Sequence, residues 1–136
     1  MSKSIEMQTK TLVTSGVEVS VETQYQPQQS DPRNQHFFFA YRVTIRNNGS
    51  ELIRLRNRHW YIFDSTGKKS HVDGEGVVGE KPILAPGEEF QYISGCPLTT
   101  DIGRMFGAYM FEKVVDGSRF YVKIPIFHLI APFRLN

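Results

Sequence analysis

Three sets of side chains have the types and spacing to do chemistry. The first is Gly74-Glu75-Gly76-Val77-Val78-Gly79, a formal G-x-G-x-x-G. In a dinucleotide fold this spacing opens a helix whose N-terminal amides hold a pyrophosphate. Here Pro82 and Pro86 follow almost at once, and no strand–helix–strand unit can be drawn around the motif. What remains is either a loop whose backbone N–H groups form a nest for an anion, or a turn whose glycines supply positive φ. The second set is Arg54, Arg56 and Arg58, which strict alternation places on one face of a strand about 7 Å apart. Guanidinium forks suit phosphates and carboxylates, and the adjacent His59 or Trp60 could stack on a base. The plainer reading is a solvated face with cross-strand pairs, Glu18 and Glu22 facing Arg42 or Arg46. The third set is His71, Asp73 and Glu75, alternate residues on one side of a strand, an imidazole and two carboxylates for a divalent ion. It lacks H-x-H, H-E-x-x-H or C-x-x-C spacing, so no metal is assigned to it.

Covalent and acid–base catalysis find no footing. Cys96 sits in Ser94-Gly95-Cys96-Pro97 with no assignable base, and no G-x-S-x-G is present. Glu88 and Glu89 point to opposite faces of a strand. The chain is therefore expected to be non-enzymatic and to need no cofactor.

The elements that must position these residues are strands. Val17, Val19, Val21, Thr23 and Tyr25 alternate with Glu18, Ser20, Glu22 and Gln24, and a second alternating run spans Phe37 to Arg46. The polar stretch 26–35, with Pro27 and Pro32, is a loop. Asn47-Asn48-Gly49-Ser50 predicts a hairpin to a third strand over 52–64. Shorter strands follow over 69–75, 82–85 and 88–94, and Asp116-Gly117 joins two more over 105–115 and 118–126. Residues 99–104 have room for one helical turn. Seven or eight short strands at this spacing predict an all-β, immunoglobulin- or fibronectin-III-like sandwich of two antiparallel sheets. Its core spans about residues 17–132, with 1–16 as a flexible lead-in. Phe38, Tyr61, Tyr109, Tyr121 and Phe127 fall opposite the main apolar set of their strands and are candidates for a partner or homodimer contact.

Composition bounds the rest. The 136 residues suit one domain, and a net charge of +2 does not announce a nucleic-acid binder. One cysteine, Cys96, excludes an internal disulfide. That lone thiol, with no signal-peptide pattern and no apolar run of spanning length, predicts a cytoplasmic protein.

Several segments in order carry a resemblance: RHWYIFD (58–64), VDGEGVVGEKP (72–82), LAPGE (84–88), YISGCPL (92–98), GAYM (107–110) and FYVKIPIF (120–127). Together they resemble the ApaG family over nearly the whole chain. The resemblance implies a fibronectin-III-like sandwich and a stand-alone bacterial protein. The related domain at the C-terminal end of some eukaryotic F-box and polymerase-interacting proteins is taken to mediate protein–protein contacts. For bacterial members it implies an indirect link to cobalt and magnesium resistance or efflux, and proximity to a diadenosine tetraphosphate hydrolase. It also implies a pyrophosphate-binding role for the glycine motif, here Gly74, Gly76 and Gly79. No catalytic activity comes with it.

The resulting expectation is a binding module that contacts a protein partner through an exposed sheet face or edge, using Arg54, Arg56, Arg58 and the glycine loop. The alternative is a sensor of pyrophosphate or a dinucleoside polyphosphate with a divalent ion. A sensor needs arginines and loop to converge on one concavity; an interaction module would show an exposed apolar patch.

Overall fold

The computed structural model describes residues 8–135. Nine strands run β1 (Gln8–Thr14), β2 (Val17–Tyr25), β3 (Phe37–Asn47), β4 (Ile53–Asp64), β5 (Lys69–Glu75), β6 (Ile83–Leu84), β7 (Glu89–Leu98), β8 (Ile102–Lys113) and β9 (Arg119–Ile130). They form two antiparallel sheets, ordered β1-β2-β3-β7 and β5-β4-β8-β9, with β6 pairing β4 beside β5. No α-helix occurs among the described residues, and no helix is long and apolar enough to cross a membrane. The predicted all-β sandwich is the observed architecture. β1 lies within the stretch expected to be a flexible lead-in, joined to β2 by Ser15 and Gly16, both at positive φ. The rest of that stretch, 1–7, lies outside the described residues. The turn expected over 99–104 is a bend that leads directly into β8.

In β2 and β3 the alternation is kept to the letter. Val17, Val19, Val21, Phe39, Tyr41, Val43 and Ile45 are buried, and Glu18, Glu22, Arg42 and Arg46 lie on the outer face. The cross-strand pairing expected there is present: Arg42 meets Glu22 at 2.7 Å, while Arg46 turns to Glu89 at 3.6 Å.

The predicted hairpin at Asn47-Asn48-Gly49-Ser50 is not one. β3 pairs with β2 and β7, and β4 belongs to the opposite sheet, so this segment carries the chain across the sandwich. The cause is Asn47, 1% exposed. Its Nδ2 donates to the carbonyls of Glu51 and Leu84, and its Oδ1 accepts from Gly49 N–H. A buried amide with its polar atoms satisfied fixes a corner rather than a tight hairpin.

Two bulges reset the alternation in the other sheet. On β4, Leu55 faces Phe111 and Asn57 faces Met110, so Arg56 is an extra residue. On β9, Ile124 faces Gly107 but Phe127 faces Met105, and Ile124 and Pro125 are both buried. Downstream of each bulge the inward set changes parity: Trp60 on β4, then Phe127 and Leu129 on β9, join the core. Phe127 is therefore core and not a contact residue. Tyr109 is also core, at 0% exposed, because its hydroxyl meets that of Tyr92 at 2.5 Å and so can be buried.

Candidate functional site

The bulge at Arg56 breaks up the predicted arginine stripe. Arg54 and Arg56 precede the change of parity and lie on the outer face, where Arg56 pairs with Glu112 at 3.1 Å. Arg58 lies beyond it, on the parity of Trp60, and points toward the sandwich interior. Its Nη1 donates to the carbonyls of Glu75 at 3.0 Å and Gly76 at 2.9 Å. Its charge also bears on the buried tyrosines Tyr41, Tyr92 and Tyr109, opposing the upward push that burial gives their hydroxyl pKa values. The three arginines do not share one face.

Each glycine of the motif has a local job. A Cβ on Gly74 would lie 2.8 Å from the Arg58 guanidinium carbon, so Gly74 clears the bed on which that group rests. Gly76 has φ +63°, and a Cβ there would overlap the Glu80 carbonyl oxygen. Val78 and Gly79, at φ +41° and +81°, form the two-residue tip of a tight turn. That turn closes through reciprocal Val77–Glu80 backbone bonds of 2.8 Å. Gly76 N–H is bound to the Arg56 carbonyl. The N–H groups of Gly76, Val77 and Glu80 are thus occupied within the fold. Arginine and loop do meet, but the arginine meets the loop's carbonyls.

The outer face of the five-stranded sheet is different in kind. His71 and Tyr61 stack at 4.5 Å with 1° between their planes. Tyr61 stacks on Phe106 at 5.5 Å, Phe106 on Phe63 at 5.7 Å, and Arg104 lies 5.0 Å over Phe63. This aromatic row borders a groove of about 830 Å³, lined by His59, Tyr61, Phe106, Tyr121, Lys123 and Ile126 among others. Tyr121 and Ile126 are 58% and 56% exposed at its far side. Of the five aromatics singled out in the sequence, Tyr61 and Tyr121 lie here. Phe38 lies on the outer face of the other sheet, its ring covering Gly95.

At one end of this face His59, His71 and Asp73 come together. Strand register sets His59 opposite Asp73 and Tyr61 opposite His71. Asp73 Oδ1 is 2.5 Å from His59 Nδ1 and 2.8 Å from His71 Nε2. The hydrogen bond with His59 is the largest cause holding the Asp73 carboxyl below its ordinary value. Glu75, the predicted third ligand, instead pairs with Lys81 at 2.7 Å. His59 was missed as a member because only the β4–β5 register, not sequence spacing, brings it beside Asp73.

A second cavity, of about 380 Å³, opens between the edge strands β5 and β7 and is lined by Tyr41, Trp60, Ser94 and Cys96 among others. Burial pushes the Cys96 thiol up to about 12, which leaves it a poor nucleophile.

The family profile of the ApaG domain (DUF525) matches residues 27–113, more than half of the chain. The chain belongs to the ApaG family. Among curated ApaG proteins, that of Rhodopseudomonas palustris is 48% identical over 120 residues, covering 88% of this chain and 92% of its own. That of Brucella canis is 49% identical with the same coverage. A solved Bordetella pertussis structure, assigned as ApaA, is 46% identical and has a TM-score of 0.82, covering 90% of this chain and 95% of that one. An X-ray structure of a further structural-genomics target is 36% identical, with a TM-score of 0.84 and coverage of 92% and 94%. The ApaG-domain span runs from the loop before β3 to the end of β8. It includes the glycine loop, Arg58 and the His59–His71–Asp73 cluster.

Proposed function

We propose that this chain is a non-enzymatic ApaG-type module that contacts a partner protein through the outer face of its five-stranded sheet. The observation that carries the reading is the contrast between the two outer faces. Over β2 and β3 that surface is built largely of Glu, Arg, Ser and Thr, with charges paired across strands. Its apolar side chains, Phe38 over Gly95 with Ile93 and Val13 on the flanking strands, form no aromatic row. On the other sheet it carries Tyr61, Phe63, Phe106, Tyr121 and Ile126 around a groove, with Arg104, Lys123 and the Arg56–Glu112 pair at the margins. Aromatic residues within a polar margin are the composition of protein interfaces. The alternative, a pyrophosphate sensor, asks the arginines and the glycine loop to present donors to one concavity. The occupied loop amides and the Arg58-to-carbonyl bonds favour the interaction reading over it.

The test is site-specific photo-crosslinking in cells. A photoreactive residue at Tyr121 or Ile126 should give a discrete crosslinked protein band, while one at Thr44 on the opposite outer face should not. Calorimetric titration with pyrophosphate and magnesium should give no heat that depends on Arg58 or Gly76. Equal crosslinking at all three positions, or pyrophosphate binding lost in Arg58→Ala and Gly76→Ala variants that remain folded, would overturn the reading.

A further inference from the structure

We infer that His59, His71 and Asp73 form a binding site for one divalent first-row transition ion of the zinc or nickel class. Their ligand atoms all lie within 4.8 Å of one another. All three side chains rise from the pleat of paired strands, so backbone register holds their relative positions. The His71 ring is further held by its stack on Tyr61. Both imidazoles aim a ring nitrogen at the same carboxylate oxygen. With Asp73 ionised, those nitrogens carry the protons that bridge to it. Moving each proton to the other ring nitrogen, with no change in net protonation, frees two lone pairs directed at the carboxylate. A cation there replaces both hydrogens at once.

The adjustment required is small. Bonds of about 2.0–2.1 Å at tetrahedral angles separate ligand atoms by about 3.3 Å. Asp73 Oδ1 stands 2.5 and 2.8 Å from the two nitrogens, and its side chain is 51% exposed, so the space to draw back lies on the solvent side. Two imidazoles and one carboxylate suit borderline-soft ions; magnesium prefers all-oxygen octahedral coordination. Three protein ligands leave coordination positions open, and His59 also lines the aromatic groove, so one open side faces the covering partner or water.

The experiment is competition between the full-length protein and a chromophoric chelator for Zn2+ and for Ni2+, in excess Mg2+. One equivalent should bind, with histidine ring NMR signals of His59 and His71 shifting while those of His36 and His128 stay. His71→Ala and Asp73→Asn should each weaken binding at least about tenfold, the lower bound for losing even an outer-shell partner. His128→Ala should bind as the unaltered chain. Metal-free thermal melts accompany each variant, and His71→Gln replaces any that does not fold. No bound equivalent in the presence of excess Mg2+, or unaltered affinity in the folded His71 and Asp73 variants, would overturn the inference and leave a hydrogen-bonded triad only.

Discussion

Replacing Arg58 by alanine separates a structural arginine from a ligand-binding one. Two hydrogen bonds run from its guanidinium to the carbonyls of Glu75 and Gly76, at 3.0 and 2.9 Å. A bond to a charged group contributes about 1.5–3 kcal/mol when buried. One of these is exposed and the other part-buried, so water recovers part of the loss. The expected cost is about 2–3 kcal/mol, or about 7–10 °C in melting temperature for a domain of this size. Arg54→Ala, with no ion pair among the described residues, should stay within about 0.5 kcal/mol. The second arm is Gly74→Ala, whose Cβ would sit 2.8 Å from the guanidinium carbon. It should destabilise the unaltered chain and be tolerated once Arg58 is gone, so the two effects fall short of additivity. Urea denaturation with a constant m-value reads all five proteins: the unaltered chain, the three single variants and the Arg58/Gly74 double variant. An Arg58→Ala midpoint equal to that of the unaltered chain, or strict additivity with Gly74→Ala, would refute the assignment of Arg58 as the pin of the loop.

Three further outcomes follow from the core. Tyr109→Phe should cost about 1–3 kcal/mol by leaving the Tyr92 hydroxyl unpaired, and adding Tyr92→Phe should recover part of that loss in the same urea assay. Burial raises the ionisation of Tyr41, Tyr92 and Tyr109 above the ordinary value of 10.0. Their contribution is thus flat below pH 10 and is lost above it, where the unfolded chain releases protons that the folded chain keeps. Unfolding free energies from urea titrations should therefore hold near pH 9 and fall above pH 10, by up to about 1.4 kcal/mol per pH unit for each tyrosine. Cys96, buried and pushed up to about 12, should react with a thiol reagent far more slowly in the native protein than in urea.

How far the sequence could be read depended on where alternation survives. In β2 and β3 one parity is apolar and the other largely polar, so face, register and core were legible residue by residue. In β4, β8 and β9 both faces carry large apolar side chains, and a single extra residue at Arg56 or Pro125 changes the inward set. Phe127 was misplaced and Arg58 was grouped with Arg54 and Arg56 because of those extra residues, while Tyr109 was misplaced because β8 carries large apolar side chains on both faces. The corner at Asn47 looked like a hairpin because Asn-Gly is a strong local signal. Nothing local shows that the amide is satisfied by Leu84, 37 positions away. Of the histidine cluster, His71 and Asp73 were visible as an alternating pair, while His59 required the β4–β5 register.

The manner in which β2 and β9 close the sandwich bears on the smallest piece of this chain that can stand alone. β9 forms an edge of the five-stranded sheet and packs against β2 of the other, and neither strand lies within 27–113. A polypeptide cut to that span would keep every residue of the glycine loop and the histidine cluster. It would lose Val17, Val19 and Val21 from one wall, and Val122, Ile124, Phe127 and Leu129 from the other. The span matched by the family profile is therefore smaller than the unit that folds, whereas the match to whole relatives extends over 120 residues. A protein that carries this module at one end must carry both flanking strands with it, or present an open, sticky half-sandwich in place of a binding face.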